Sequence, residues 1–234
     1  MHKKTKRLIV VGLLAQAILP FASRQPAALA GQPAYSRMAP LQQYLMPRDA
    51  EVALARAAAP SAISAGAEVL VLGRTGYTTA AKGGNGFVCL VERSWGATTN
   101  DPIFWDPAVR GPLCFNPQAA STVLPIYLLK TKLVLAGRSR AQIVRGIAAA
   151  FASSKLPALA PGAMSYMLAK GQYLGDQAKH WHPHLMIFVA GDATKSWGAD
   201  LPGSPVMASK DPEERMTVFY VWTGEWSDGA RAPM

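Results

Sequence analysis

Between residues 47 and 226 the spacing of apolar residues switches back and forth between the helical and the strand period. Val52, Ala55 and Ala59 share one side of a helix over 47–59, opened by Pro47 and Asp49 and stopped by Pro60. Asp49 is placed to cap its first turn, and Asp49 and Glu51 both suit the positive end of the helix dipole. After a loop at 61–66, strands are predicted over 67–72 and 87–92, both rich in Val and Leu, with 77–81 continuing extended between them. Short glycine turns at 73–76 and 83–86 join them, so the three read as an antiparallel meander. A glycine-rich turn with no helix behind it is a poor phosphate loop, which disfavours nucleotide binding.

Residues 94–117 break the pattern, with Trp95, Phe104, Trp105 and Phe115 set among prolines. One reading is a loop that presents Trp95, Asp101, Trp105 and Asp106 to a ligand. The other is a long loop that needs aromatic plugs and a covalent staple to stay ordered. An αα-hairpin follows. Its first helix covers 122–136 and closes at Gly137, and its second opens on the capping box Ser139-Arg140-Ala141-Gln142. Ile143, Ile147 and Phe151 form the second helix's core stripe. Further strands are predicted over 163–168, 185–190 and 216–222, with 191–212 a loop and the tail from 227 frayed. The sum is an α+β domain over 47–226: an antiparallel sheet of about six strands, packed by about three helices largely on one face.

His180-Trp181-His182-Pro183-His184 leads directly into the strand Leu185-Met186-Ile187-Phe188-Val189. Pro183 holds His182 out of the helical region, so the segment is extended and the three histidines point to one side. A His-x-His pair on a strand can place two imidazoles on one zinc, with a third ligand drawn from Glu92, Asp101 or Asp106. An open coordination position would then activate water for hydrolysis. With Met164, Met186 or Met207 as a further ligand the site would suit copper. The plainer alternative is that His182 and His184 bond neighbouring backbone and that His180 is solvated, with no metal or other cofactor. Elsewhere no nucleophile elbow and no carboxylate pair stands out by spacing.

The N-terminus bears on compartment. Lys3, Lys4, Lys6 and Arg7 precede a short apolar run, and Ala28-Leu29-Ala30 supplies a cleavage pattern, so residues 1–30 read as a signal peptide. The run is well short of the ~20 residues that span a bilayer, and no transmembrane segment is expected once it is removed. Residues 31–46 read as an extended arm. Without residues 1–30 the formal net charge falls from +10 to +5, and the remaining basic residues are scattered, which argues against nucleic acid as a partner. In an exported chain Cys89 and Cys114 are expected to pair, and closing that loop contributes about 3.5 kcal/mol on the chain-entropy model.

The segments Ala53-Leu54-Ala55-Arg56, Asn85-Gly86-Phe87-Val88-Cys89-Leu90-Val91, Pro112-Leu113-Cys114, Tyr166-Met167-Leu168 and Pro183-His184-Leu185-Met186 resemble, in this order, a family of exported bacterial proteins. That family carries no assigned activity, so the resemblance implies export and one domain but no site residues. Three functions follow as expectations. The first is a periplasmic or secreted protein that binds a small molecule or a protein partner without catalysis. The others are a metal-dependent hydrolase or metal binder at His180–His184, and a structural envelope component.

Overall fold

Strand β1 (Glu68–Gly73) is buried on both faces, and the rest of the sheet is laid out from it. In the computed structural model, which describes residues 36–175 and 181–233, Val69 packs with Cys89, Val91 and Cys114 beneath Ala55, Ala58 and Ala59. Ala55 belongs to helix α1 (Arg48–Arg56), whose alanines let it lie close to the strands. Leu70 and Leu72 point the other way, into a larger core with Leu90, Leu113, Phe115 and the later helices. The period-2 alternation of a strand thus feeds two cores, and the expectation of helices on one face is corrected to helices on both.

Among the described residues there are five α-helices and one eight-stranded sheet, a mixed α/β arrangement larger than the one expected. The strand order is β2-β1-β3-β4-β5-β6-β8-β7. β2 (Gly76–Ala81) forms the predicted hairpin with β1. β3 (Val88–Glu92) does not complete a meander: it pairs on the other side of β1, and in parallel. The chain reaches it by crossing the start of β1, where Gly84 and Asn85 donate to the Gly66 carbonyl. A Cβ on Gly83 would lie 2.1 Å from the Glu68 nitrogen, so only glycine passes there.

Two strands were hidden in predicted loops. β4 (Gly111–Phe115) lies between β3 and β5 (Met164–Met167), and β7 (Val206–Asp211) forms a hairpin with β8 (Met216–Trp222). β6 (His184–Ala190) pairs antiparallel with both β5 and β8, as a core strand should. Cys89 and Cys114 face each other across β3 and β4 and form the expected disulfide, within the α1-side core.

The helices follow their sequence signals with two additions, α2 (Ser61–Ser64) and α3 (Pro117–Thr122), the latter capped by the Asn116 side chain. α4 (Leu124–Leu135) closes at Gly137, which has positive φ, and α5 (Arg140–Ala152) opens on the predicted Ser139–Gln142 capping box. Asp49 makes no cap; Pro47 precedes the first turn of α1 instead.

Residues 36–46 are not a free arm. Tyr44 is fully buried against Trp95, and its hydroxyl donates to the Trp105 carbonyl at 2.7 Å. The tail also packs, with the Ser227 amide donating to the Leu168 carbonyl and an isolated bridge between Glu225 and Arg231. The described residues belong to one compact unit, Gln32–Met234, and none of their helices is long and apolar enough to cross a membrane. The expected signal peptide lies outside the described residues.

Candidate functional site

Strands β6 and β8 turn the same alternating face toward one cavity of about 240 Å³. From β6 come His184, Met186 and Phe188, and from β8 Met216, Val218 and Tyr220. Leu113 and Phe115 of β4 extend this apolar floor. The walls are polar. Glu92 stands at the end of β3, Asp101 in the aromatic loop, Asp211 at the end of β7, and Glu214 in the turn that follows.

His184 is the best-defined group of the site. It is 1 % exposed, and its Nδ1–H donates to the His182 carbonyl at 2.8 Å. A carbonyl can only accept, so the neutral ring carries its proton on Nδ1 and leaves Nε2 as a bare lone pair. That Nε2 is buried with no hydrogen-bond partner among the described residues. Burial holds the imidazole below its ordinary value despite the bond to His182. Trp181, whose ring lies 5.7 Å from that of His184, also lines the cavity and has an unpartnered Nε1–H. Buried polar groups are nearly always paired, so an acceptor and a donor left open at one cavity wall make it the candidate site.

The carboxyl groups are perturbed by the same enclosure. Burial pushes Glu92 up to about 8, with Lys130 opposing and Glu214 adding to the shift. Asp211 is pushed up to about 6, again by burial first and then by Glu214, against Lys130. Lys130, fully buried on α4, forms an ion pair with Glu214 and donates to the Ala97 carbonyl at 3.2 Å. Burial alone would lower its pKa, but Glu214 and Asp211 outweigh that and keep it charged. Thr99 donates to Glu213 from its hydroxyl and its amide. Both contacts tie the loop after β3 to the β7–β8 turn across the cavity.

A second buried network lies between α1 and β3. Arg93 donates to a Glu51 carboxylate oxygen at 2.8 Å, to the Tyr44 carbonyl at 2.7 Å and to the Val91 carbonyl. The same Glu51 oxygen accepts from the Leu72 amide, so this first-turn residue of α1 is also a core anchor. The Arg93 guanidinium is thereby committed to Glu51 and to backbone carbonyls, although Arg93 also contributes to the cavity lining.

Of the ligand-binding candidates, only Asp101 reaches the cavity, while its carboxylate also caps the short turn Pro102–Trp105. Trp95 is wholly buried with Nε1–H on the Thr131 hydroxyl at 2.9 Å, and Trp105 is buried against Phe104. Asp106 is buried and accepts from the Ala108 amide at 2.8 Å. These three hold the loop in shape.

Of the metal candidates, His180 lies outside the described residues, and His182 packs edge-on against Trp222 at 4.7 Å while its carbonyl holds His184. Among the described residues no three His, Cys, Asp or Glu side chains are placed to share an ion. Met186 lines the cavity, whereas Met207 is exposed on β7. Asp211, Glu214, Lys130 and Tyr220 were not singled out from the sequence. The available signal was Lys130, one of two lysines in an otherwise apolar helix, which needs a partner if it is buried.

No protein-family model, curated protein or solved structure matches the chain.

Proposed function

We propose that this is an exported protein that binds a small molecule in the cavity between β3, β6 and β8. The carrying observation is the open pair on its wall, the His184 Nε2 acceptor and the Trp181 Nε1–H donor, each buried without a partner. A molecule with its own donor and acceptor, and an apolar body for the Phe115, Met186 and Phe188 floor, answers all three features. Export is supported by the N-terminal charge and apolar pattern and by the disulfide, which persists in oxidising compartments. The likeness to a family of exported bacterial proteins points the same way.

The reading is tested by ligand-detected NMR on a fragment library, comparing the native protein with Val218→Phe, which narrows the cavity from β8. Fragments that bind the native chain and lose binding in the variant support it. Equal binding to both contradicts it.

A second reading is acid–base chemistry on the bound molecule. It is favoured by two carboxyl groups in one cavity held at about 8 and about 6. Turnover of chromogenic esters or glycosides that Glu92→Gln abolishes would support this; absence of turnover across such a panel would leave binding alone.

A further inference from the structure

We propose that the cavity selects a small organic cation, an ammonium or guanidinium head carried on an apolar stem. This deepens the small-molecule reading and rests on it.

The walls are rich in acceptors. Carboxyl groups enter from separate segments: Glu92 from β3, Asp101 from the aromatic loop, Asp211 from β7 and Glu214 from the β7–β8 turn. All four line the same cavity as the Tyr220 hydroxyl, whose pKa is raised by burial first and then by Glu92, Asp211 and Asp101. The cations nearby are already committed. Lys130 is spent on Glu214 and the Ala97 carbonyl, and Arg93 on Glu51 and backbone carbonyls. Among the described residues no ion pair involves Glu92, Asp101 or Asp211, and no hydrogen bond reaches the Glu92 carboxyl. Burial raises Glu92 to about 8, which favours its neutral form at pH 7 beside the other acids of the wall.

The second and independent observation is His184. Its unpartnered Nε2 adds a neutral acceptor to the same wall, and N–H donors of an ammonium or guanidinium would satisfy it along with the carboxylates. The aromatic rings of Trp181 and Tyr220 suit a cation's edge, and the floor of Leu113, Phe115 and Phe188 suits its stem. The Trp181 Nε1–H, unpartnered among the described residues, lies in the same wall and reports on what enters it.

A proton balance follows. A cation seated beside Glu92 replaces the proton as its partner, so binding at pH 7 expels that proton to solvent. After burial, Lys130 from α4 and Glu214 from the β7–β8 turn act on Glu92, and Glu92 in turn acts on Tyr77 of β2, Tyr127 of α4 and Tyr220 of β8. His184 of β6 and the Asp101 and Asp211 carboxyls share its cavity. The tyrosines are all raised, so they stay neutral, and Lys130 stays charged. Asp211 titrates near 6, which leaves Glu92 as the proton lost between pH 6 and 8.

The experiment titrates the full chain, as exported, with n-butylammonium, benzylammonium and guanidinium. Matched probes are n-butanol, benzyl alcohol, butyrate and benzoate. Calorimetry in two buffers of different ionisation enthalpy counts the protons, and the Trp181 indole N–H resonance reports occupancy. The alkyl and benzyl ammonium ions should bind at least tenfold more tightly than their alcohols, with the carboxylates weakest. Affinity should rise about tenfold per pH unit from pH 6 toward 8. Glu92→Gln should remove both the proton release and that pH dependence. Asp211→Asn provides a second variant, which should weaken the cations and spare the alcohols. Alcohols or carboxylates binding as well as the ammonium ions would overturn the cation assignment while leaving a small-molecule site. No response of Trp181 to any charge class would overturn both.

Discussion

His184 donates its Nδ1–H to the backbone carbonyl of His182, two residues back along the same extended segment, at 2.8 Å. The bond fixes ring orientation and tautomer together, so Pro183 and its neighbours act as a local splint for one imidazole. A backbone partner on one ring nitrogen is also what orients histidines that work through the other.

That placement has a pH signature. Burial holds the folded His184 below the 6.5 of an exposed imidazole, so the unfolded chain binds this proton first as pH falls. Its contribution to stability is present above about 6.5 and is lost as pH drops through the lower folded value. Denaturant unfolding at pH 7 and pH 5 should show the native protein losing more stability over that interval than His184→Gln. Equal losses would contradict the neutral, buried assignment.

Glu92 has the opposite sign. Its folded value of about 8 against 4.5 means the folded protein holds a proton that the unfolded chain has released. The ligand-free protein should therefore lose stability as pH rises from about 4.5 to about 8. Glu92→Gln should match the native protein at pH 4 and exceed it at pH 9. A stability difference that does not change with pH would show the carboxyl to be ordinarily solvated.

The Glu51–Arg93 pair is fully buried, so removing one partner strands the other. Arg93→Met should cost about 3–5 kcal/mol in denaturant unfolding. The double variant Glu51→Gln/Arg93→Met keeps an acceptor for the Leu72 amide, removes the stranded charge and should cost less than Arg93→Met alone. A strictly additive double variant would argue that the charges are not coupled.

The disulfide sits in the core beneath α1, whereas the cavity opens on the sheet face that carries His184 and Leu113. Its loss should lower stability without touching the site. Cys89→Ala/Cys114→Ala should lose about 3.5 kcal/mol and still bind whatever occupies the cavity of the native protein. Thiol titration of denatured, unreduced exported protein should find no reactive cysteine.

Much of the fold was legible where one rule governed a segment. β6 and β8 were readable from their apolar, β-branched and aromatic content, and α5 from its capping box. β4 was not, because Pro112 lies inside it. The structure tolerates this proline because β5 pairs only with Cys114 and Phe115, leaving Pro112 bonded on one side. β3 was found but misplaced, since a short glycine turn cannot say on which side of β1 the chain returns. β7 was missed for a reason tied to the site. Its inward residues Ser209 and Asp211 are polar where a core strand would be apolar, because they face the cavity. Of the histidine segment, Trp181 and His184 line the cavity, and Glu92 and Asp101, expected as a third metal ligand, line it too, without three ligands placed to share an ion among the described residues. Asp211 and Glu214 stayed hidden with the strand and turn that carry them.

The most direct measurement uses the Trp181 indole. The chain has six tryptophans, so each Nε1–H can give a separate signal in a 15N-labelled sample, with Trp181 assigned through Trp181→Phe. Trp95 is the internal control, because its Nε1–H is already committed to Thr131 deep in the core. A chemically diverse small-molecule panel should contain members that shift the Trp181 signal in a saturable way and leave Trp95 unmoved. A panel that shifts neither, or acts only on the exposed Trp197, would contradict a ligand site on the His184 wall.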